Sequence, residues 1–199
     1  MDAQTQARED LAAIRRLMEG GQRVVNHAGP HFVAWGLLTS AALVLTYVLG
    51  RDGDARLISW MWAAAVGLGW LASIGLTVSG VRRAPVSSAS GRLLGGLWIG
   101  TGVTLTLLGF AGPAGGALHW SGLTGVLAAV LGTGFFATGL VAGSRWIQAA
   151  GGAWWAGSLF MLLWPGPHGL LVTAALTLVL QTIPGLVLML RARRAVAVA

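Results

Sequence analysis

HGLLVTAALTLVLQTIPGLVLML, residues 168–190, carries no charged side chain beyond its opening histidine and is long enough to cross a bilayer. A helix rises about 1.5 Å per residue and the hydrocarbon core is about 30 Å thick, so roughly 20 apolar residues suffice. Five more segments meet the same test: 33–50, 57–80, 93–112, 120–143 and 146–164. None holds Asp, Glu, Lys, Arg or His in its interior. The runs are continuously apolar and not alternating, which favours helices over barrel strands. The expected fold is therefore all-α: a polytopic six-transmembrane-helix bundle. Three stretches make up the chain: an N-terminal segment 1–31, the membrane domain 32–190 and a basic tail 191–199.

Composition agrees with that reading. The chain is 55% hydrophobic and only 10% charged, where soluble domains average about 25% charged. The net charge of +7 suggests nucleic acid until it is located. In residues 1–31, Arg8, Arg15, Arg16 and Arg23 are balanced by Asp2, Glu9, Asp10 and Glu19. The other nine arginines flank apolar spans and face only Asp52 and Asp54. That placement is a topology signal, and nucleic acid is not an expected partner. The absence of cysteine excludes disulfides, thiolate catalysis and iron–sulfur ligation. The first apolar run starts near Phe32, too late and too long for a cleavable signal peptide.

Arginine counts give an orientation. Four lie in the N-terminal segment, three at 82, 83 and 92, one at 145, and three at 191, 193 and 194. Only Arg51 and Arg56 fall on the opposite side. The bias alternates correctly through six spans and places both termini in the cytoplasm. Among the ten tryptophans, Trp60, Trp62, Trp120 and Trp164 mark outer span ends and Trp35 and Trp146 inner ends. Trp70, Trp98, Trp154 and Trp155 lie deeper, where an indole N–H needs an acceptor from another helix or a cavity.

The 31 glycines point to close helix packing. Gly96–Gly100 and Gly139–Gly143 have GxxxG spacing, and Ala153–Gly157 contains a small-xxx-small variant. The spans can also be read as three tandem hairpins, 33–80, 93–143 and 146–190. Each odd helix carries an early Trp beside glycine, and each even helix ends in Gly-Leu with arginine six or seven residues later. Internal repeats of this kind are common in transporters.

Residues 5–25 have helical character. Leu11, Ile14, Met18 and Val25 form an apolar stripe, with Arg8, Arg15, Arg16, Glu19 and Arg23 around much of the rest. Such a helix can lie on the membrane surface or dock a partner. Leu11, Ile14 and Met18 are the candidate partner contacts. Gly29-Pro30 is expected to break the chain, with Pro30 suited to the first turn of the next helix.

For chemistry, span six offers most. Thr173, Thr177 and Gln181 recur every four residues along one helical face, just before Pro184-Gly185. Proline removes a backbone hydrogen bond and frees a carbonyl near Leu180. A polar stripe beside a broken backbone can line a binding cavity for a small hydrophobic or polar uncharged ligand. Trp70, Thr101 and Thr104 are candidates to face it. The competing reading is that these groups bond neighbouring helices. His27 and His31 are separated by Gly29-Pro30, and His119 and His168 have no fixed partner, so no metal or other cofactor is expected. Coupled carriers place ionisable groups inside the membrane, and none is present here. No Walker, nucleophile-elbow or HExxH motif occurs, so no catalytic residue is assigned.

The run 11–47 resembles the start of small, uncharacterised bacterial multi-span membrane proteins, through Ile14-Arg-Arg-Leu-Met18, Gly29 and Phe32-Val-Ala-Trp35-Gly36. The resemblance covers about a fifth of the chain and implies a bacterial inner-membrane location. The expectation for function is a non-enzymatic accessory, sensory or regulatory subunit, with a partner protein or a second copy bound through the N-terminal helix. The alternative is a small-molecule binder or uncoupled transporter using the span-six stripe.

Overall fold

The computed structural model describes residues 28–50, 53–83 and 89–197. Within them the chain is helical: α1 (Ala28–Leu49), α2 (Ala55–Arg83), α3 (Ala89–Ala114), α4 (Trp120–Val141), α5 (Arg145–Leu163), α6 (His168–Thr177) and α7 (Ile183–Ala197). A π-helical segment, Leu178–Thr182, joins α6 to α7 into one rod. Five rods are long and apolar enough to cross a membrane: α1, α2, α3, α4 and the α6–α7 unit. The chain is a multi-pass helical membrane protein. Helix α5 falls outside that group because its 19 residues include Arg145, Gln148, three glycines and three tryptophans. The stripe of Leu11, Ile14 and Met18, and His27, lie outside the described residues.

The helix ends follow from local chemistry. Asp54 opens α2, its carboxylate accepting the backbone N–H groups of Arg56 and Leu57 at 3.1 Å each. Gly53 and Gly116 reverse the chain with φ of +87° and +71°, left-handed conformations that favour glycine. Pro30 lies in the first described turn of α1, the position expected from sequence. An early proline is tolerated there because first-turn N–H groups have no intrahelical acceptor.

The centre of the bundle is the antiparallel pair α4–α5. A Cβ at Gly125 would meet Leu162, one at Gly132 would meet Trp155, and one at Gly139 would meet Gln148. Each seven-residue step up α4 is matched by seven residues down α5, so the two run side by side over their length. Buried Gly125, Ala128, Gly132, Phe135 and Gly139 of α4, and Ala142 just past its end, alternate three and four apart, a heptad seam. Gly151, Trp154, Ser158 and Met161 answer it from α5. Ser158 Oγ donates to Gly125 O at 2.7 Å and Trp155 Nε1 to Ala129 O at 3.2 Å, tying the backbones together.

Helix α1 packs between α2 and the α6–α7 rod. Its crossing with α7 is backbone on backbone: a Cβ at Gly29 would lie 2.8 Å from Gly185 O, and one at Gly185 2.9 Å from Gly29 O. Gly36 sits against Thr182 in the π segment, and Ser40 Oγ donates to Ala174 O at 3.3 Å. On the other side, Trp35 Nε1 donates to Ser73 Oγ at 2.8 Å and Trp62 Nε1 to Thr46 Oγ1 at 2.9 Å. The start of α1 therefore lies beside the end of α2 and the later turns of α7.

The α4–α5 pairing straddles two of the hairpins read from sequence. The glycines of the supposed repeat are not equivalent in packing either. Gly36 meets the π segment and Gly151 meets the α4 backbone, whereas Gly95 and Gly96 face open space. Of the GxxxG matches, Gly96 and Gly100 are both unopposed, and Gly143 forms the α4–α5 turn at φ +61°.

Candidate functional site

Proline at 184 cannot donate to the carbonyl one turn before it, and the helix accommodates this with the five-residue π segment immediately upstream. The insertion turns the rod so that Thr173, Thr177, Gln181 and Thr182 are all buried, at 5%, 1%, 5% and 5% exposure. The sequence-predicted stripe thus exists and faces the protein interior.

Most of its polar capacity is spent locally. Thr173 Oγ1 donates to Gly169 O at 2.7 Å and lies 3.1 Å from Met161 Sδ. Thr177 Oγ1 donates to Thr173 O at 2.7 Å, and Thr182 Oγ1 to Thr177 O at 3.3 Å. Hydroxyls that return their proton to a carbonyl one turn earlier are satisfied without any ligand, and such bonds often bend the helix. The Gln181 amide is different, since its side chain makes no hydrogen bond to another described residue. On α5, the Trp154 indole N–H is also buried without an acceptor, its residue 0% exposed. A buried N–H left unpaired costs about 1–3 kcal/mol, so this is an unusual feature of the core.

The other three candidate ligand residues are elsewhere. Trp70 reaches from α2 to α3, where Nε1 donates to Thr106 Oγ1 at 3.4 Å and its ring meets Trp35 edge-on at 6.1 Å. Thr101 is buried in the α3–α4 contact, 3.5 Å from the position a Cβ on Gly134 would take. Thr104 lies exposed on the outer side of α3. The structure brings together Thr173, Thr177 and Gln181 on one buried face, whereas the contacts of Trp70 and Thr101 run between α2, α3 and α4 and Thr104 is exposed.

Three of the four deep tryptophans find acceptors, as their depth requires: Trp70 and Trp155 as described, and Trp98, whose Nε1 donates to Thr138 Oγ1 at 3.0 Å. Trp98 also joins an aromatic cluster with Phe32 and Phe135, at centroid distances of 5.0 and 5.3 Å, and Phe135 stacks on Trp154 at 6.4 Å. Sequence reasoning missed the two phenylalanines. The seven-residue spacing of Gly125, Gly132 and Gly139 was the available signal, because Phe135 falls midway on that seam.

The histidines serve local structure. His31 Nε2 lies 3.3 Å from both Ser73 O and Thr77 Oγ1; a carbonyl only accepts, so this nitrogen is the donor. His119 Nδ1 is 3.0 Å from Ser121 Oγ, and His168 Nε2 donates to Trp164 O at 2.8 Å. No group of three potential metal ligands occurs among the described residues.

Grooves lie on the outside of the bundle. One of about 510 Å³ is walled by Pro30, Val33 and Ala34 of α1, Ala72, Gly75 and Leu76 of α2, and Met189 of α7. A smaller one of about 290 Å³ lies among Trp146, Ile183, Pro184 and Val187. The outer face of α3 presents Leu93, Gly96, Gly100, Val103, Thr104 and Leu107, all exposed, and a Cβ at Gly96 or Gly100 would meet nothing. No family model, no curated protein and no solved structure matches the chain.

Proposed function

We propose that this chain is a non-enzymatic subunit of a bacterial inner membrane, spanning it six times with both termini in the cytoplasm, and that it acts by associating with a partner protein. Counting α5 as the sixth span is supported by its running beside α4 over the length of both. The observation that carries the reading is the unopposed Gly96–Gly100 face of α3. Within membranes, helices gain little from hydrophobicity and associate through small residues that let backbones approach. Two glycines one turn apart on an outward face offer such an approach to another helix. On the cytoplasmic side, Leu11, Ile14 and Met18 supply a second contact.

Native mass spectrometry of protein extracted gently from its own membranes tests this. A defined hetero-complex or homo-oligomer is expected. It should be lost in a Gly96→Leu/Gly100→Leu variant and weakened by deletion of residues 1–25, with the bundle still folded in both. A complex indifferent to both changes removes the basis of the proposal.

A second reading is favoured by the unpartnered Gln181 amide and Trp154 N–H. A small polar uncharged molecule entering beside the π segment would reach the Gln181 amide. A stoichiometric small molecule in the same spectra, released by Gln181→Leu without unfolding, is its expected result. Retention of that molecule by the variant sinks it.

A further inference from the structure

We infer that the groove between α1, α2 and α7 is a binding site for an anionic diacyl phospholipid, with an acyl chain along the groove and the headgroup at the arginine-bearing ends of α2 and α7. The wall consists of apolar atoms only, from Pro30, Val33, Ala34, Ala72, Gly75, Leu76 and Met189. That suits a hydrocarbon chain and no polar solute. Three contacts fix which end of the bundle the groove opens on. A Cβ at Gly29 would lie 2.9 Å from Met189 Cγ, His31 Nε2 is 3.3 Å from Thr77 Oγ1, and Trp35 Nε1 is 2.8 Å from Ser73 Oγ. The start of α1 is therefore flanked by the last turns of α2 and by Gly185 and Met189 of α7.

Both flanking helices then turn basic. From Leu76, α2 runs on to Arg82 and Arg83, its last two residues. From Met189, α7 runs on through Arg191, Arg193 and Arg194. At about 1.5 Å per residue these positions lie roughly 3–10 Å along the helices from the wall residues. Neither α2 nor α7 contains an acidic residue. An apolar groove that ends between two arginine-bearing helices matches the two halves of an anionic phospholipid. Basic sites between spans on the cytoplasmic side recognise such headgroups through charge. A zwitterionic lipid would fill the groove equally well and gain little from the arginines, so the site predicts selectivity by headgroup. This proposal concerns a different face from the α3 surface and stands whether or not a partner protein binds there.

The test is a lipid titration of the full-length protein in non-ionic detergent, read by native mass spectrometry, with dioleoyl phosphatidylglycerol against dioleoyl phosphatidylcholine. One phosphatidylglycerol is expected to bind in clear preference. Arg82→Gln/Arg83→Gln should cut that preference by about 30-fold, at roughly fivefold per charge removed, whereas Arg82→Lys/Arg83→Lys should keep most of it. Gly75 has open space where its Cβ would be, so Gly75→Leu fills the groove without disturbing the fold. It should abolish tight binding of phosphatidylglycerol at an unchanged melting temperature. Equal affinity of the wild type for both lipids overturns the proposal. So does a Gly75→Leu variant that keeps the wild-type preference, because the lipid would then be held by surface charge alone.

Discussion

Two adjacent glycines on α5 should respond oppositely to the same methyl group. At Gly151 a Cβ would stand 2.6 Å from Phe136 N, 2.8 Å from Gly132 O and 2.8 Å from Phe136 Cβ, whereas at Gly152 it would meet nothing. Carbon contacts are optimal near 3.5 Å, so Gly151→Ala requires α5 to retreat from α4 by about 0.9 Å. Two of the obstructing atoms are backbone and the third is a Cβ fixed to it, so none can rotate aside. Overpacking of this kind costs about 1–3 kcal/mol. The retreat also stretches Ser158 Oγ to Gly125 O and Trp155 Nε1 to Ala129 O, bonds worth about 0.6 kcal/mol each between membrane helices. The sum is a loss of about 2–4 kcal/mol. Gly152→Ala meets no obstacle and gains at most the helix-propensity difference, about 1 kcal/mol, less if the unfolded state in detergent stays helical. Reversible unfolding in mixed non-ionic and anionic micelles, followed by tryptophan fluorescence, measures both. Equal effects of the two substitutions, or a Gly151→Ala variant as stable as wild type, would refute the α4–α5 geometry.

Four further outcomes are expected. Gly185→Ala should destabilise by about 1–3 kcal/mol in the same assay, since its Cβ would press on Gly29 O at 2.9 Å and Phe32 Cβ at 2.9 Å. Thr138→Val should cost about 1–3 kcal/mol by leaving the Trp98 N–H without its acceptor, and Trp98→Phe in that background should recover part of the loss in a double-mutant cycle. The chain has no cysteine, so single cysteines report topology directly: Ala117→Cys should react with an impermeant maleimide in intact spheroplasts, and Arg145→Cys only after permeabilisation. Labelling of both from outside contradicts the six-span arrangement. Leucine at Gly96 should leave unfolding within about 1 kcal/mol of wild type, because its side chain enters open space; a larger loss in the isolated chain means that face is already packed.

The spans were legible because one physical demand dominates them. A lipid-facing segment must be apolar for about 20 residues, and that demand writes itself into composition without reference to any other part of the chain. The start of α4 at Trp120 and of α6 at His168 fall where the sequence places them. Pro184 likewise announced a broken backbone, because the missing N–H is a local fact, and the π segment at Leu178–Thr182 is its consequence. Which helices touch was not legible. In a chain of 31 glycines, spacing alone does not separate Gly132, pressed against Trp155, from Gly96, which faces open space. The short GxxxG spacing drew notice to Gly96–Gly100, while the seam that holds the bundle uses seven-residue spacing along α4. Helix partners are set by three-dimensional complementarity between distant segments, and one sequence carries only half of each pair.

The same distinction explains why the polar stripe, read from sequence, carried two readings, a cavity lining or bonds between helices. Four-residue spacing of Thr173, Thr177 and Gln181 guarantees a common face and says nothing of what that face meets. Threonine in a helix can satisfy itself against the preceding turn, and three of the buried hydroxyls here do so within 3.3 Å. Trp70, Thr101 and Thr104 were grouped with the stripe only because they are polar or amphipathic at similar depth. Depth is shared by every helix in a bundle and therefore selects no neighbour. What distinguishes Gln181 and Trp154 from those residues is a property of the packed state: each is buried with polar atoms that no described residue engages. Functional chemistry in this membrane domain is thus sought where local satisfaction fails and at the outer faces of α2, α3 and α7, whose apolar and basic patterns remain incomplete until lipid or another helix covers them.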